Sequence, residues 1–305
     1  MNETLLWTGS VAFILLMLGL DLFVFNRRAV NIKVKTALLW TGFWILIAIL
    51  FDLSIFLFIS QKRSEEFITG YLVEQSLSMD NLFVFLLLFK YFQTPAIYQR
   101  KVLSYGIIGA LVFRAVFIFA GISLVNTFSF TIYILGGFLV FTAVRMLFSK
   151  DDEVHPDKNI VLRTFRKFMP VTSGYVGGRL FVKEGIKYFA TPLFIVLLVI
   201  ETTDIVFAFD SIPAIIGITQ DRFIVFTSNI FAILGLRTLY FALSGIMDLF
   251  HYLHYGLSVI LIFIGLKIIC QHFLVIDINV SLIVVAAILT ASVLLSVIFP
   301  KKEKI

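Results

Sequence analysis

Two stretches of the chain place carboxylates among apolar residues. One is ETTDIVFAFDSIPA at residues 201–214, and the other is VEQSLSMDN at residues 73–81. The five acids are Glu74, Asp80, Glu201, Asp204 and Asp210. An aspartate at the centre of a membrane helix costs about 2.5–3.5 kcal/mol, so acids in this setting need a compensating role. The two roles that fit are cation binding and pairing with buried arginines.

Helical spacing adds neutral oxygen atoms to the acids. Glu74, Ser78 and Asn81 fall on one helix face, and Asp204 and Ser211 share another. Carboxylate, amide and hydroxyl oxygens suit hard divalent cations such as Mn²⁺, Mg²⁺ and Ca²⁺. Acids in apolar surroundings also take up protons, which makes exchange of a metal for protons chemically available.

Ion pairing is the alternative role for the acids. Arg114, Arg237 and Lys267 also lie in apolar segments and can neutralise part of the negative charge. Two deep arginines do not balance five acids, so pairing by itself leaves part of the pattern unexplained.

The composition identifies the elements that must position these residues. Of 305 residues, 60% are hydrophobic and 14% are charged, whereas soluble domains carry about 25% charged residues. The mean hydropathy is +1.02, and we therefore predict an all-α polytopic membrane helical bundle. The single cysteine, Cys270, excludes a disulfide or a thiolate cluster within one chain.

Nine apolar segments are long enough to be considered membrane spans. They are residues 5–25, 37–60, 67–90, 102–122, 128–148, 191–217, 223–243, 251–271 and 279–299. Lysine and arginine concentrate in alternate loops, which predicts an external N-terminus and a cytoplasmic C-terminus. The same loops account for the net charge of +6, so no nucleic-acid partner is predicted. We expect a multi-pass protein of the bacterial inner membrane.

An internal repeat relates the third to fifth spans to the sixth to eighth. SMDNLFVF (78–85) resembles TTDIVFAF (202–209), and Arg114 then aligns near Arg237 at almost the same offset. Three spans per copy make the second copy inverted, as in secondary transporters, so the predicted core is a 3+3 inverted repeat. The predicted divisions are a two-helix addition (1–66), the first repeat (67–148), a cytoplasmic loop (149–190), the second repeat (191–271), and a final helix with a basic tail (272–305).

The inverted repeat predicts the depth of each acid. Asp80 and Asp204 fall near the bilayer midplane, Glu74 falls at the depth of Asp210, and Glu201 lies one turn nearer the cytoplasm. The sequence thus predicts a ladder of carboxylates along a path.

Pro213 predicts an interruption of the sixth span. It has no backbone N–H to donate to the carbonyl of Phe209, and it disfavours helix at Ile212. We therefore predict a kink or break near residues 210–212, which would turn Asp210 inward and free carbonyls as ligands.

Four stretches resemble the TerC family of integral membrane proteins. They are DLFVFNRRA (21–29), GYLVEQSLSMDNLFVF (70–85), ETTDIVFAFDSIPAI (201–215) and TSNIFAILGLRTLYF (227–241). The resemblance implies the 3+3 architecture of LysE-type transporters and a role in manganese export, and the family name comes from tellurium resistance. It implies that the acids, with Asn81 and Ser211, are metal ligands. It adds Asn229 as a polar candidate and includes Asp21, for which pairing with Arg27 or Arg28 is an equal alternative.

Two functions follow from these observations. The first is a secondary transporter that exports divalent cations, foremost Mn²⁺, with Mn²⁺ as cargo and no prosthetic group. The second is a membrane assembly or scaffold protein whose acids serve buried ion pairs and which carries no flux. The sequence contains no HExxH, GxSxG or Walker motif, so no enzyme is predicted. Membrane-protein partners and a homo-oligomer both stay open.

Three further features receive structural interpretations. His251 and His254 have metal-ligand spacing, but they stand where interface residues are common. Asp52 has no counterpart in the repeat. The loop 149–190 contains an amphipathic segment at residues 160–169 and a hairpin centred on residues 184–185, and we interpret it as a connector.

Overall fold

The structure is a computed structural model, and it confirms an all-α membrane protein with one small hairpin. It describes residues 3–21, 34–128, 130–148, 162, 164–165, 169–184, 187–244, 252–270, 273 and 276–299. The helices are α1 Glu3–Gly19, α2 Val34–Phe58, α3 Gln61–Tyr91, α4 Ala96–Thr127, α5 Thr131–Phe148, α6 Pro192–Ile216, α7 Arg222–Ile233, α8 Leu236–Leu243, α9 Leu253–Cys270 and α10 Ile278–Ile298.

Each of the nine predicted segments contains helix over most of its described residues, but the helices differ in length. By length and composition, α2, α3, α4, α6 and α10 can each cross a membrane. The bent pair α7 and α8 forms a sixth candidate span. The remaining three, α1, α5 and α9, have 17, 18 and 18 residues, somewhat fewer than the roughly 20 that a span requires. For these three helices, crossing the membrane stays a prediction.

The interruption predicted at Pro213 is found in a different span. Helix α6 continues through Pro213 to Ile216. The proline lies in the last turn, where the loss of one backbone hydrogen bond affects only the end of the helix. The break occurs between α7 and α8, which meet at an angle of 42°. Gly235 lies there with φ of +84°, a backbone conformation that favours glycine. The predicted break at residues 210–212 is wrong, because α6 is continuous there, while the alternative of a kink stays a prediction.

Each helix of one predicted repeat packs against a helix of the other repeat. Helix α3 packs on α7 and α4 packs on α6, while α5 packs along α9. Gly136 and Gly265 allow the last contact, since a Cβ on Gly265 would lie 2.8 Å from the carbonyl oxygen of Gly136. This packing is what a two-fold relation of the repeats requires, although the repeat itself stays a prediction.

The N-terminal helices brace the broken helix. Trp7 in α1 makes an edge-to-face contact with Phe223 of α7, and Trp44 in α2 lies directly over Gly235. Thr41 in α2 donates a hydrogen bond to Thr238 of α8 at 3.3 Å. The two-helix addition is therefore packed against α7 and α8, and α2 also packs on α3.

The described part of the loop between α5 and α6 contains the predicted hairpin. Strands β1 (Phe181–Glu184) and β2 (Lys187–Ala190) pair antiparallel, and residues 185–186 lie outside the described residues. The Tyr175 hydroxyl donates to the carbonyl of Phe92 at 2.9 Å. Most of the amphipathic segment 160–169 also lies outside the described residues.

Candidate functional site

Arg114 of α4 is the centre of a buried polar cluster. Its side chain is 1% exposed, and its Nη1 atom forms a close ion pair with Glu74 of α3. Its Nη2 atom lies 3.4 Å from Oδ1 of Asp204 in α6, and Nη1 also donates to Oδ1 of Asn229 in α7 at 3.3 Å. One guanidinium therefore joins side chains from three other helices.

Glu74 is held by neutral donors as well. Asn229 donates through Nδ2 to Oε2 of Glu74 at 3.0 Å, and Ser78 donates to Oε1 at 3.4 Å. Ser78 can do so because residues four apart face the same side of a helix. Hydrogen bonds of this kind are what a fully buried charge needs in order to be tolerated.

Glu201 and Asp204 project from successive turns of α6, which begins with Pro192 in its first turn, a position where proline is favoured. The carboxylate of Glu201 lies against Gly109 of α4, where a Cβ atom would overlap both of its oxygens. Glycine at position 109 therefore provides the space that Glu201 occupies.

Several polar atoms at this site have no hydrogen-bond partner in the described part of the chain. They are the acceptors Oε2 of Glu201 and Oδ2 of Asp204, the hydroxyl Oγ of Ser211, and the donor Nε of Arg114. Asp204 is 5% exposed and Ser211 is 1% exposed, so water does not readily satisfy them. An unpartnered buried acceptor costs about 1–3 kcal/mol, and such groups are candidates for binding an ion.

A small cavity is lined by both Glu201 and Asp204. Its volume is about 20 Å³, which is room for about one water molecule. The lining residues are Phe85, Leu103, Gly106, Ile107, Ala110, Ile200, Glu201, Asp204, Leu236 and Arg237. The cavity therefore has apolar walls with two acids and one arginine.

Arg237 of α8 lines this cavity, but its guanidinium is bound elsewhere. Its Nη2 atom lies 3.0 Å from Oδ1 of Asp21 and donates to the main-chain carbonyl of the same residue. Its Nη1 atom donates to Oγ of Ser104 in α4 at 3.0 Å. Asp21 pairs with Arg237 across 216 positions of the chain, while Arg27 and Arg28 lie outside the described residues.

The structure joins acids that the predicted ladder kept apart. Glu74 and Asp204 share Arg114, although the ladder placed them at different depths. Arginine and glutamate side chains are long enough to bridge such an offset along the helix axis. Asn81 is buried in α3.

Asp80 and Asp210 belong to α3 and α6, but their side chains lie outside the described set. The predicted pairs of Asp80 with Asp204 and of Glu74 with Asp210 therefore stay predictions. The side chains of His251 and His254 also lie outside this set. Asp52 accepts a hydrogen bond from Ser64 at 2.9 Å, which gives it a local partner in α3.

Sequence reasoning missed Gly109 and Ser104. The only signal for Gly109 was its spacing of three from Gly106 in the segment GIIGAL (106–111), a pattern of small residues that more often indicates helix packing. Nothing in the sequence identified Ser104, because its role depends on the position of Arg237.

Comparison with known proteins places the chain among membrane proteins. The family described as "Integral membrane protein TerC family" matches residues 59–304. An uncharacterized membrane protein of Myxococcus xanthus, STKORF319, is 44% identical over 96% of this chain and 92% of its own length. A protein of Escherichia coli K12 named "Putative membrane-bound redox modulator Alx" is 41% identical over 96% of this chain and 94% of its own length.

A plant protein is also similar. The "Thylakoid membrane protein TERC, chloroplastic" of Arabidopsis thaliana is 47% identical over 77% of this chain and 61% of its own length. No solved structure matches the chain.

Proposed function

Because the chain belongs to the TerC family of integral membrane proteins, we propose that it is a secondary transporter that exports divalent metal cations, foremost Mn²⁺. The proposed location is the bacterial inner membrane, with the N-terminus outside and the C-terminus in the cytoplasm. No enzymatic step belongs to the proposal.

One observation carries the proposal. Glu201 and Asp204 line a cavity inside the helix bundle, and each has a carboxylate oxygen without a hydrogen-bond partner among the described residues. Arg114 serves two acids at once, and no described ion pair neutralises Glu201. When ionised, the described acids carry more negative charge than Arg114 offsets, and a divalent cation would compensate that excess.

The ligand atoms favour a hard cation. Carboxylate, amide and hydroxyl oxygens surround Arg114 and the cavity, and oxygen donors suit Mn²⁺ better than they suit Cu(I). One of the relatives is named for redox modulation, but a single cysteine in this chain excludes an intramolecular dithiol–disulfide couple. The oxygen ligands of this chain therefore favour cation transport over dithiol–disulfide chemistry as the proposed function.

The observed arrangement holds the acids apart from one another. Among the described side chains, no group of three or more histidines, cysteines or acids is close enough to hold a metal ion. Glu74 and Asp204 both face Arg114 instead. In the proposed transport cycle, Arg114 releases at least one of these acids when the cation binds, and it neutralises both again when the cation leaves. The same acids can return with protons, which is how antiport would operate.

A scaffold function is the second candidate, and the completeness of the Glu74 contacts favours it. Both oxygens of Glu74 are occupied by Arg114, Asn229 and Ser78. If stability were the whole purpose of the cluster, neutral substitutions of the acids would lower protein abundance rather than flux.

The test is total cell manganese in an export-deficient host challenged with Mn²⁺. The host expresses wild type, Asp80→Asn, Asp204→Asn or the control Asp52→Asn, whose carboxylate bonds only with Ser64 among the interactions described for it. We expect wild type and the control to lower cell manganese, and the other two variants to fail at normal membrane abundance. A wild type that is expressed but leaves manganese unchanged would refute export, and loss of abundance in Asp204→Asn would favour the scaffold.

A further inference from the structure

We propose that Asp21 is a positioning residue that holds the Arg237 guanidinium away from Glu201 and Asp204, so that these acids stay available to a divalent cation. This inference rests on the proposed transport function and adds a part outside the three-helix repeats. Asp21 itself does not contact the cation.

Arg237 shares a cavity with the two acids, which is where it could compete with a cation. It lines the same cavity as Glu201 and Asp204, and the cavity holds only about one water molecule. A guanidinium that entered this space would fill it and would neutralise the charge that attracts the cation.

Two anchors prevent this in the structure. Asp21 forms the ion pair with Nη2 of Arg237, and Ser104 accepts a hydrogen bond from Nη1. Asp21 is 1% exposed and Arg237 is 4% exposed, so the pair lies where charge–charge attraction is strong. Of the two anchors, only Asp21 carries the charge that can outweigh the attraction of Glu201 and Asp204.

Arg114 shows what an arginine does when such an anchor is missing. No acid outside the two repeats pairs with it in the described residues, and its guanidinium binds Glu74 and Asp204 directly. Without Asp21, we expect Arg237 to make the same kind of contact with Glu201.

The test compares the two ways of breaking one ion pair. Purified wild type, Asp21→Asn, Arg237→Gln and the double variant are reconstituted in liposomes, and Mn²⁺ flux is measured against Mn²⁺ concentration. Both single variants break the same ion pair, so a structural role alone would impair them alike. Folding is checked by thermal unfolding of each protein in detergent.

The inference predicts opposite changes in KM. Asp21→Asn should raise KM at least about tenfold, because Arg237 then occupies the acids. Arg237→Gln should lower KM, because a positive charge beside the acids has been removed. The double variant should return KM to the wild-type value or below it.

The outcomes separate the two proposals. Active wild type with KM raised by both single variants, or a double variant no better than Asp21→Asn, would overturn the inference and leave the transport function standing. Folded wild type without Mn²⁺ flux would overturn the transport function, and the inference with it.

Discussion

Arg114 and Arg237 occupy corresponding positions in the two predicted repeats, and both are almost fully buried. Arg114 binds acids from both repeats, Glu74 and Asp204. Arg237 binds Asp21, which lies outside both repeats. In one half an arginine holds acids together, and in the other half an acid holds the arginine aside. Glu201 and Asp204 each keep a carboxylate oxygen with no hydrogen-bond partner among the described residues.

The helices that carry these two arginines also differ in continuity. Helix α4 is continuous over 32 residues, whereas its predicted counterpart is broken into α7 and α8. The break faces Trp44 and Thr41 of α2. Helix α2 packs on α3 of the first repeat as well, but only in the second repeat do the N-terminal helices meet a broken helix among the described residues.

Removing the Arg114 guanidinium should give the largest effect. Arg114→Gln leaves Glu74 and Asp204 buried with no arginine between them, and breaking a buried pair costs about 3–5 kcal/mol. Arg237→Gln leaves only one acid, Asp21, buried without its arginine, so the loss of stability should be smaller. Thermal unfolding in detergent and membrane abundance measure both changes. If Arg237→Gln proved the more damaging variant, the comparison between the two arginines would be reversed.

Changing Gly235 should give the next largest effect. Gly235→Ala puts a Cβ 2.6 Å from Trp44 at a positive φ, and strain at such a position costs roughly 1–3 kcal/mol. The control is Gly42→Ala in α2, where no neighbouring atom lies within 4 Å of the new Cβ. A lower unfolding temperature is expected for Gly235→Ala only. Equal behaviour of the two variants would mean that the break does not depend on glycine.

Changing Gly109 should act on transport more than on stability. In Gly109→Ala the new methyl group displaces the flexible Glu201 carboxylate, and alanine favours helix more than glycine does. We expect normal abundance and a KM for Mn²⁺ raised about 10- to 100-fold, as for displaced residues at other metal sites. Gly137→Ala in α5, which has open space at the Cβ position, is the matched control. An unchanged KM in Gly109→Ala would remove Glu201 from the cation path.

Sequence reasoning found the acids and Arg114 but misjudged where the chain breaks. Proline is the stronger helix breaker in general, so Pro213 was the obvious candidate, yet it lies in the last turn of α6. The break lies at Gly235 instead, where φ is +84° and where Trp44 from a separate helix occupies the position that a Cβ atom would take. No local pattern in the segment 227–241 contains that information.

The amino-acid sequence by itself determined the environment of the chain. Long apolar runs must become helices in a bilayer, because every backbone polar group there needs an internal partner. The rarity of charge in those runs likewise identified Glu74, Asp204 and Arg114 as residues with a role.

Only the tertiary structure decided which charges meet. The contact of Asp21 with Arg237 and the bridge from Glu74 through Arg114 to Asp204 join residues that are far apart in the chain. The physical reason is that hydrophobicity fixes which segments enter the bilayer, while the contacts between buried charges depend on helix packing and on the few directions in which side chains find room.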